Sequence, residues 1–176
     1  MVVTSRYFEQ EFVEIIPNLW IGGKYTLSYL LEDEAIDTIV PLDSLDSSIW
    51  DSGVNYEICY FPTQDYGVLP LEREKEVVNL IVSRLKDGKK VALLCHGGIG
   101  RTSYIASLVI RTIGVTIRHR NGVIGFLRAK YNSNAVETVE QMERIVEPEN
   151  YWYWKNRIVS SNYYFETTSL LDGYKK

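Results

Sequence analysis

One run constrains the fold more than any other: residues 91–103 read VALLCHGGIGRTS. Val91 to Cys95 are apolar without a break, which suits a strand buried on both faces at the centre of a parallel sheet. Gly97, Gly98 and Gly100 follow, and then TSYIASLVIRTIG carries helical periodicity and stops at Gly114. Strand, tight turn and helix in that order form the unit of α/β folds, because parallel strands need a crossover that covers the sheet.

The rest of the chain repeats the alternation. EFVEIIPNLWIGG predicts two short strands with turns at Pro17-Asn18 and Gly22-Gly23, TLSYLLEDEA a short helix, IDTIVPL a buried strand and VNYEICYFP another. After Pro70, LEREKEVVNLIVSRLKDG has acidic residues at its start, Val77, Val78, Ile81 and Leu85 at helical spacing, and Gly88 behind Lys86. VIGFLRAKY and AVETVEQMERIV predict two more helices, and the aromatic YWYW of 151–154 is read as core packing. Without a repeat or a long linker, residues 1–176 are expected to form one α/β domain, a central, mostly parallel twisted sheet flanked by helices, with an aromatic helix and tail over 147–176.

Nineteen basic against 23 acidic residues leave a net charge of −4, so binding to nucleic acid through an overall positive field is not expected and phosphate recognition should be local. The first residues lack the apolar run of a signal peptide and nothing later approaches a membrane span, which predicts a soluble, cytoplasmic protein. Cys59 and Cys95 belong to no CxxC or Cys/His cluster, so neither a metal site nor a disulfide framework is expected, no cofactor is implied, and a reactive thiol is left open.

With Cys95 at the carboxyl end of the strand and Arg101 at the helix start, the loop between them lies where open α/β sheets bind ligands. The glycines let backbone N–H groups from His96 to Arg101 converge on an anion. The helix N-terminus adds partial positive charge, and the Arg101 guanidinium can grip two phosphate oxygens. That field stabilises a thiolate at Cys95, and Thr102 is placed to hydrogen-bond the sulfur. The plain alternative is a buried structural cysteine beside an ordinary glycine turn.

Cys95-His96-Gly97-Gly98-Ile99-Gly100-Arg101-Thr102 resembles the CxxGxxR(S/T) signature loop of cysteine-dependent protein tyrosine phosphatases, in particular the small dual-specificity and archaeal-type members. IIPNLWIGG resembles the opening strand segment of dual-specificity phosphatases, FPTQDYGVLP their general-acid loop, and NAVETVEQ the segment that carries active-site glutamines. The resemblance spans about residues 15–146 and implies a protein tyrosine phosphatase-like fold acting on phosphorylated proteins. It gives Cys95 as nucleophile, Arg101 as phosphate clamp, His96, Gly97, Gly98, Ile99, Gly100 and Arg101 as the phosphate cradle, Asp65 as general acid, and Thr102 and Gln141 as supporting residues. The same fold also serves phosphatases of RNA 5′-phosphates and inositol phosphates, and a weakly active phosphoprotein-binding module is a further alternative. Oligomeric state is left open.

Several residues depart from the family pattern. Leu94 stands where a His usually precedes the cysteine, and Ser103 replaces a frequent Gly. Glu137 occupies the place of the Gln that orients the hydrolytic water. It is read here as solvent-facing, which leaves Gln141, one turn further, to handle water. Some relatives protect the nucleophile by a reversible disulfide; Cys59 is read as a small buried hydrophobe, with such a pairing as the alternative. His119 in IRHRNG is read as part of a solvated basic face with Arg118 and Arg120, and His96 as lending its N–H to the loop with its ring outward.

Overall fold

The computed structural model describes residues 10–46 and 56–158. Strands β1 (Val13–Ile16) and β2 (Leu19–Gly23) pair antiparallel around Asn18, which takes φ 70°, a left-handed conformation that asparagine tolerates. Strands β3 (Thr38–Pro41), β4 (Glu57–Ile58) and β5 (Val91–Cys95) complete a sheet of order β1-β2-β5-β3-β4. Both neighbours of β5 run parallel to it, and β3 and β4 are parallel to each other, so the expected central and mostly parallel sheet is found.

All five residues of β5 are buried, as its apolar run demands. Val91, Leu93 and Cys95 join the larger core with helices α2 (Leu71–Lys86), α3 (Gly100–Ile113), α4 (Gly122–Lys130) and α5 (Val139–Ile145). Ala92 and Leu94 face the other way, into a smaller cluster with Leu27 and Leu30 of α1 (Leu27–Asp33). In α2, Val77, Val78, Ile81 and Val82 are buried, each side chain contributing about 1.5–3 kcal/mol by leaving water. Glu72 and Glu74 in its first turn and Arg84 and Lys86 in its last complement the helix dipole, and Gly88 ends it at φ 75°. Glu74 is buried and accepts hydrogen bonds from the Tyr104 hydroxyl and from Arg144 Nη1 at 2.7 Å, tying α2, α3 and α5 together. Leu69 N–H donates to that hydroxyl at 3.3 Å, which fixes the far end of the segment that carries Asp65.

Three expectations are corrected. The strand expected over 54–62 shrinks to Glu57–Ile58, and residues 51–55 lie outside the described ones. The chain beyond β4 still lies along β3, with Cys59 N–H on Ile39 O at 2.9 Å and Phe61 N–H on Pro41 O at 3.0 Å. The ladder stops because Pro41 has no N–H to return the bond. The helix expected over 135–146 begins only at Val139: Val136 takes φ 63°, and Thr138 caps the helix by accepting the Gln141 N–H at 3.2 Å. Arg118 and Arg120 are exposed as expected, but His119 is only partly so: its Nδ1 accepts Asn121 N–H at 3.2 Å and its ring packs where a side chain on Gly125 would otherwise stand.

The aromatic segment packs on the core in part. Residues 151–158 are helical, Trp154 is buried with its Nε1–H on Asn121 O at 2.9 Å, and the Arg128 guanidinium lies 5.0 Å from its ring centroid. Trp152 is exposed, and the expected tail over 159–176 lies outside the described residues. Among the described residues no helix is long and apolar enough to cross a membrane.

Candidate active site

The carboxyl end of β5 delivers Cys95 into a loop that is anchored from outside. His96 O accepts Lys24 N–H at 3.2 Å, Gly97 O accepts Gln10 N–H at 3.2 Å, and Gly98 O accepts the Tyr131 hydroxyl. In a trans peptide the C=O and the following N–H point in opposite directions, so holding three carbonyls outward turns the N–H groups of Gly97, Gly98 and Ile99 inward. Gly98 N–H meets the buried Cys95 Sγ at 3.2 Å. Gly98 is at φ 79°, and a side chain there would overlap the backbone of Gly22 and Gly23. Gly22 and Gly23, expected only as a turn, are the last residues of β2, in register with Leu94 and Cys95. A Cβ on Gly23 would lie 2.9 Å from Gly97 O. Glycine is required on both sides of this contact because backbone lies directly on backbone.

Arg101, in the first turn of α3, is 5% exposed. Its Nη1 donates to Thr63 O at 2.9 Å, its Nη2 is 3.8 Å from Asp43 Oδ2, and its Nε is 3.5 Å from Asp65 Oδ1. Nε is buried and has no hydrogen-bond partner. One corner of the guanidinium is therefore fixed by backbone while the edge carrying Nε and Nη2, the fork that takes two oxygens of an oxyanion, has only distant carboxylates. Asp43, which no sequence motif marks, follows β3 and also approaches Lys24 Nζ at 3.4 Å and His96 Nδ1 at 3.5 Å. Burial works to raise its pKa, but the Ser44 N–H, Arg101 and Lys24 outweigh this and hold it below the ordinary carboxylate value.

Asp65 lies at the exposed tip of a segment pinned at both flanks. Thr63 N–H bonds Leu42 O at 3.0 Å, Gly67 N–H bonds Gln64 O at 2.9 Å, and Arg144 Nη1 bonds Leu69 O at 3.2 Å. Asp65 Oδ1 accepts Tyr66 N–H at 3.0 Å, with Tyr66 at φ 62°. Gln141 is fully buried: its Oε1 accepts Glu137 N–H at 3.0 Å and its Nε2 donates to Gly67 O at 3.1 Å. It links the Asp65 segment to the Glu137 segment instead of presenting its amide to water.

Glu137 overturns its expected orientation. Its carboxylate turns onto the loop, accepts the Gly100 N–H and fills the space beside that glycine's Cα. Burial, and after it the Asp65 carboxylate, raise the Glu137 pKa against the Gly100 N–H, Arg101 and Arg128, which favour the anion. The cause of the turn is Ser103, whose hydroxyl sits against Ile99 O and Gly100 O and accepts Val136 N–H at 2.7 Å, bringing residue 136 onto the start of α3. Arg128 holds the other side, with Nε on Ala135 O at 2.8 Å and Nη2 on Val136 O at 2.9 Å.

One further expectation fails on geometry, and the alternative considered for Cys59 is ruled out, leaving it as a partly buried hydrophobe packed on the core. The Thr102 hydroxyl is buried without a hydrogen-bond partner, so the Gly98 N–H, and not Thr102, serves the sulfur. Cys59 and Cys95 cannot pair, because β3 stands between their segments; two strand spacings are about 9.5 Å, beyond the roughly 7 Å that a disulfide bridges. His96 points outward as expected, its ring edge-on to Tyr25 at 5.1 Å. Tyr131 was invisible in the sequence; burial, and then the nearby Cys95, push its pKa well up and keep its hydroxyl a donor.

A ring of inward N–H groups around a thiol at the end of a central parallel strand, with a buried guanidinium at its rim, defines a small dual-specificity-type member of the protein tyrosine phosphatase superfamily. The chain belongs to the DSP-PTPase phosphatase family of polymorphic toxin systems, whose model matches residues 23–114. An uncharacterized protein of Methanocaldococcus jannaschii, MJECL20, is 30% identical over 129 residues, covering 71% of this chain and 81% of that protein. The crystal structure of Tk-PTP in its active form superposes with a TM-score of 0.61 at 23% identity, covering 80% of this chain and 96% of that one. That of kinase associated phosphatase, with its catalytic cysteine replaced by serine, gives a TM-score of 0.63 at 15% identity, covering 85% and 95%. These two solved structures share the fold.

Proposed function

We propose that the protein hydrolyses phosphotyrosine in proteins, and phosphoserine and phosphothreonine with it, through a phosphocysteine intermediate. Cys95 Sγ attacks phosphorus, the Nε and Nη2 edge of Arg101 and the inward N–H groups take the equatorial oxygens, and the P–O bond to the side chain breaks. Asp65 gives its proton to the leaving oxygen, then takes one from the water that attacks phosphorus, releasing phosphate and the thiolate. The observation that supports this reading most is the buried, unpartnered Nε of Arg101 beside a cradle whose N–H already donates to sulfur. A buried donor without an acceptor carries a cost of about 1–3 kcal/mol, which an oxyanion removes.

The test is turnover of a phosphotyrosyl peptide with acid-quench trapping of phosphate on the protein. Wild type should form a phosphocysteine adduct, Cys95→Ser should bind the peptide without turnover, and Arg101→Lys should lose roughly 10²-fold or more, since a point charge cannot reproduce the fork. Multiple turnover by Cys95→Ser overturns the mechanism.

A further inference from the structure

The face of the sheet opposite the larger core is covered, among the described residues, by the seven-residue α1, and this leaves a cleft of about 770 Å³ between α1 and the β1–β2 hairpin. Its lining includes Phe12 and Trp20, both partly buried on the smaller core, and Tyr25 and Tyr29, which are 53% and 65% exposed. Glu11 and Asp33 add carboxylates to the same cleft. A third, Glu34, is already neutralised by Lys90 Nζ at 2.9 Å. Asp33 also sits in the last turn of α1, where no basic residue offsets the negative end of the helix dipole. Aromatic faces combined with carboxylates attract one kind of ligand, a cation carried on an aliphatic stem. Tyr25 is the wall shared with the catalytic loop, since its ring meets His96, the residue next to Cys95.

We propose that this cleft takes a lysine or arginine side chain of the phosphorylated polypeptide, so that the enzyme selects phosphorylated residues with a basic residue two or three positions away. Extended chain advances about 3.3 Å per residue, which puts such a side chain roughly 7–10 Å from the phosphorylated one. Tyr25, whose ring meets His96, is where such a side chain would enter the cleft. The proposal rests on the phosphatase reading above and adds the substrate's sequence context to it.

The test compares phosphotyrosyl peptides that differ only in carrying Arg or Glu at those positions, with p-nitrophenyl phosphate as a substrate too small to reach the cleft. For the full-length wild type, kcat/KM should favour the Arg peptide by about tenfold or more, and less at high salt. In Glu11→Gln/Asp33→Asn the preference should fall to within about twofold, while p-nitrophenyl phosphate turnover stays unchanged. Asp43, Asp65 and Glu137 remain in both proteins, so the difference isolates the cleft. No preference in wild type, or a preference that survives the double substitution, overturns the proposal and gives the cleft to another occupant. Failure to hydrolyse any of the three substrates would instead refute the phosphatase reading.

Discussion

Glu137→Gln probes an anion that already occupies part of the proposed phosphate cradle. The Glu137 carboxylate takes the Gly100 N–H and neighbours Arg101, the groups proposed to meet an incoming oxyanion. Two unit charges about 4 Å apart interact by about 4 kcal/mol at an effective dielectric of about 20. Burial and, after it, the Asp65 carboxylate raise the Glu137 pKa in the free protein, and a bound dianion raises it further. Wild-type binding of tungstate, a stable dianion, should therefore take up one proton once the pH exceeds the Glu137 pKa of the free protein. Its affinity should fall by about tenfold per pH unit more steeply than that of Glu137→Gln. Calorimetric titration between pH 5 and pH 8 measures both slopes, and other titrating groups, common to the two proteins, cancel in the ratio. Equal affinities across that range would refute a cradle-facing, competing Glu137. Stability follows the same sign: a carboxyl with a raised folded pKa favours folding at acid pH and loses that contribution as pH rises through the folded value. Glu137→Gln should accordingly raise Tm at pH 7 and leave it nearly unchanged at pH 4.

Asp65→Asn should lower turnover by about 10²- to 10⁴-fold for alkyl phosphates and much less for activated aryl phosphates, as steady-state kinetics on both would reveal. Equal losses would remove Asp65 from the leaving-group role. Gly98→Ala should abolish activity, because at φ 79° its methyl meets the backbone of Gly22 and Gly23, whereas Gly88→Ala, at φ 75° with open space around it, should cost about 1 kcal/mol and keep full activity. Ser103→Ala strands the buried Val136 N–H and should cost about 1–3 kcal/mol in urea unfolding. A change below a few tenths would mean that Val136 finds another acceptor.

Much of the frame is legible in the sequence because its signals are local. The apolar run of β5, the spacing of Val77 and Ile81 in α2, and the glycines of the loop each carry their own instruction. The failures come from partners distant in sequence. Nothing within VNYEICYFP reveals that its neighbour in the sheet has a proline at position 41, and AVETVEQ reads as helix until Ser103 draws Val136 out of it. Asp43, Tyr131 and Gln141 act through contacts made across the fold, among them those with Arg101, Gly98 O and Gly67 O, and leave no periodic trace. Glu137 is the instructive case: an acidic residue before a helix normally serves the helix dipole, yet here burial against Gly100 takes it from solvent.

The outward anchoring of the loop carbonyls separates frame from face. Gln10 and Lys24 act through their backbone and Tyr131 through a hydroxyl, so no side chain inside the loop between Cys95 and Gly100 is needed to hold the N–H ring in shape. His96, exposed, and Ile99, half-buried, are thus free to vary at the lip of the pocket. A library randomised at these two positions should retain phosphate affinity in most of its members while spreading in substrate preference. On the proposed function, selectivity in such a scaffold can evolve by changing the lip alone, without retuning the backbone N–H groups of the ring.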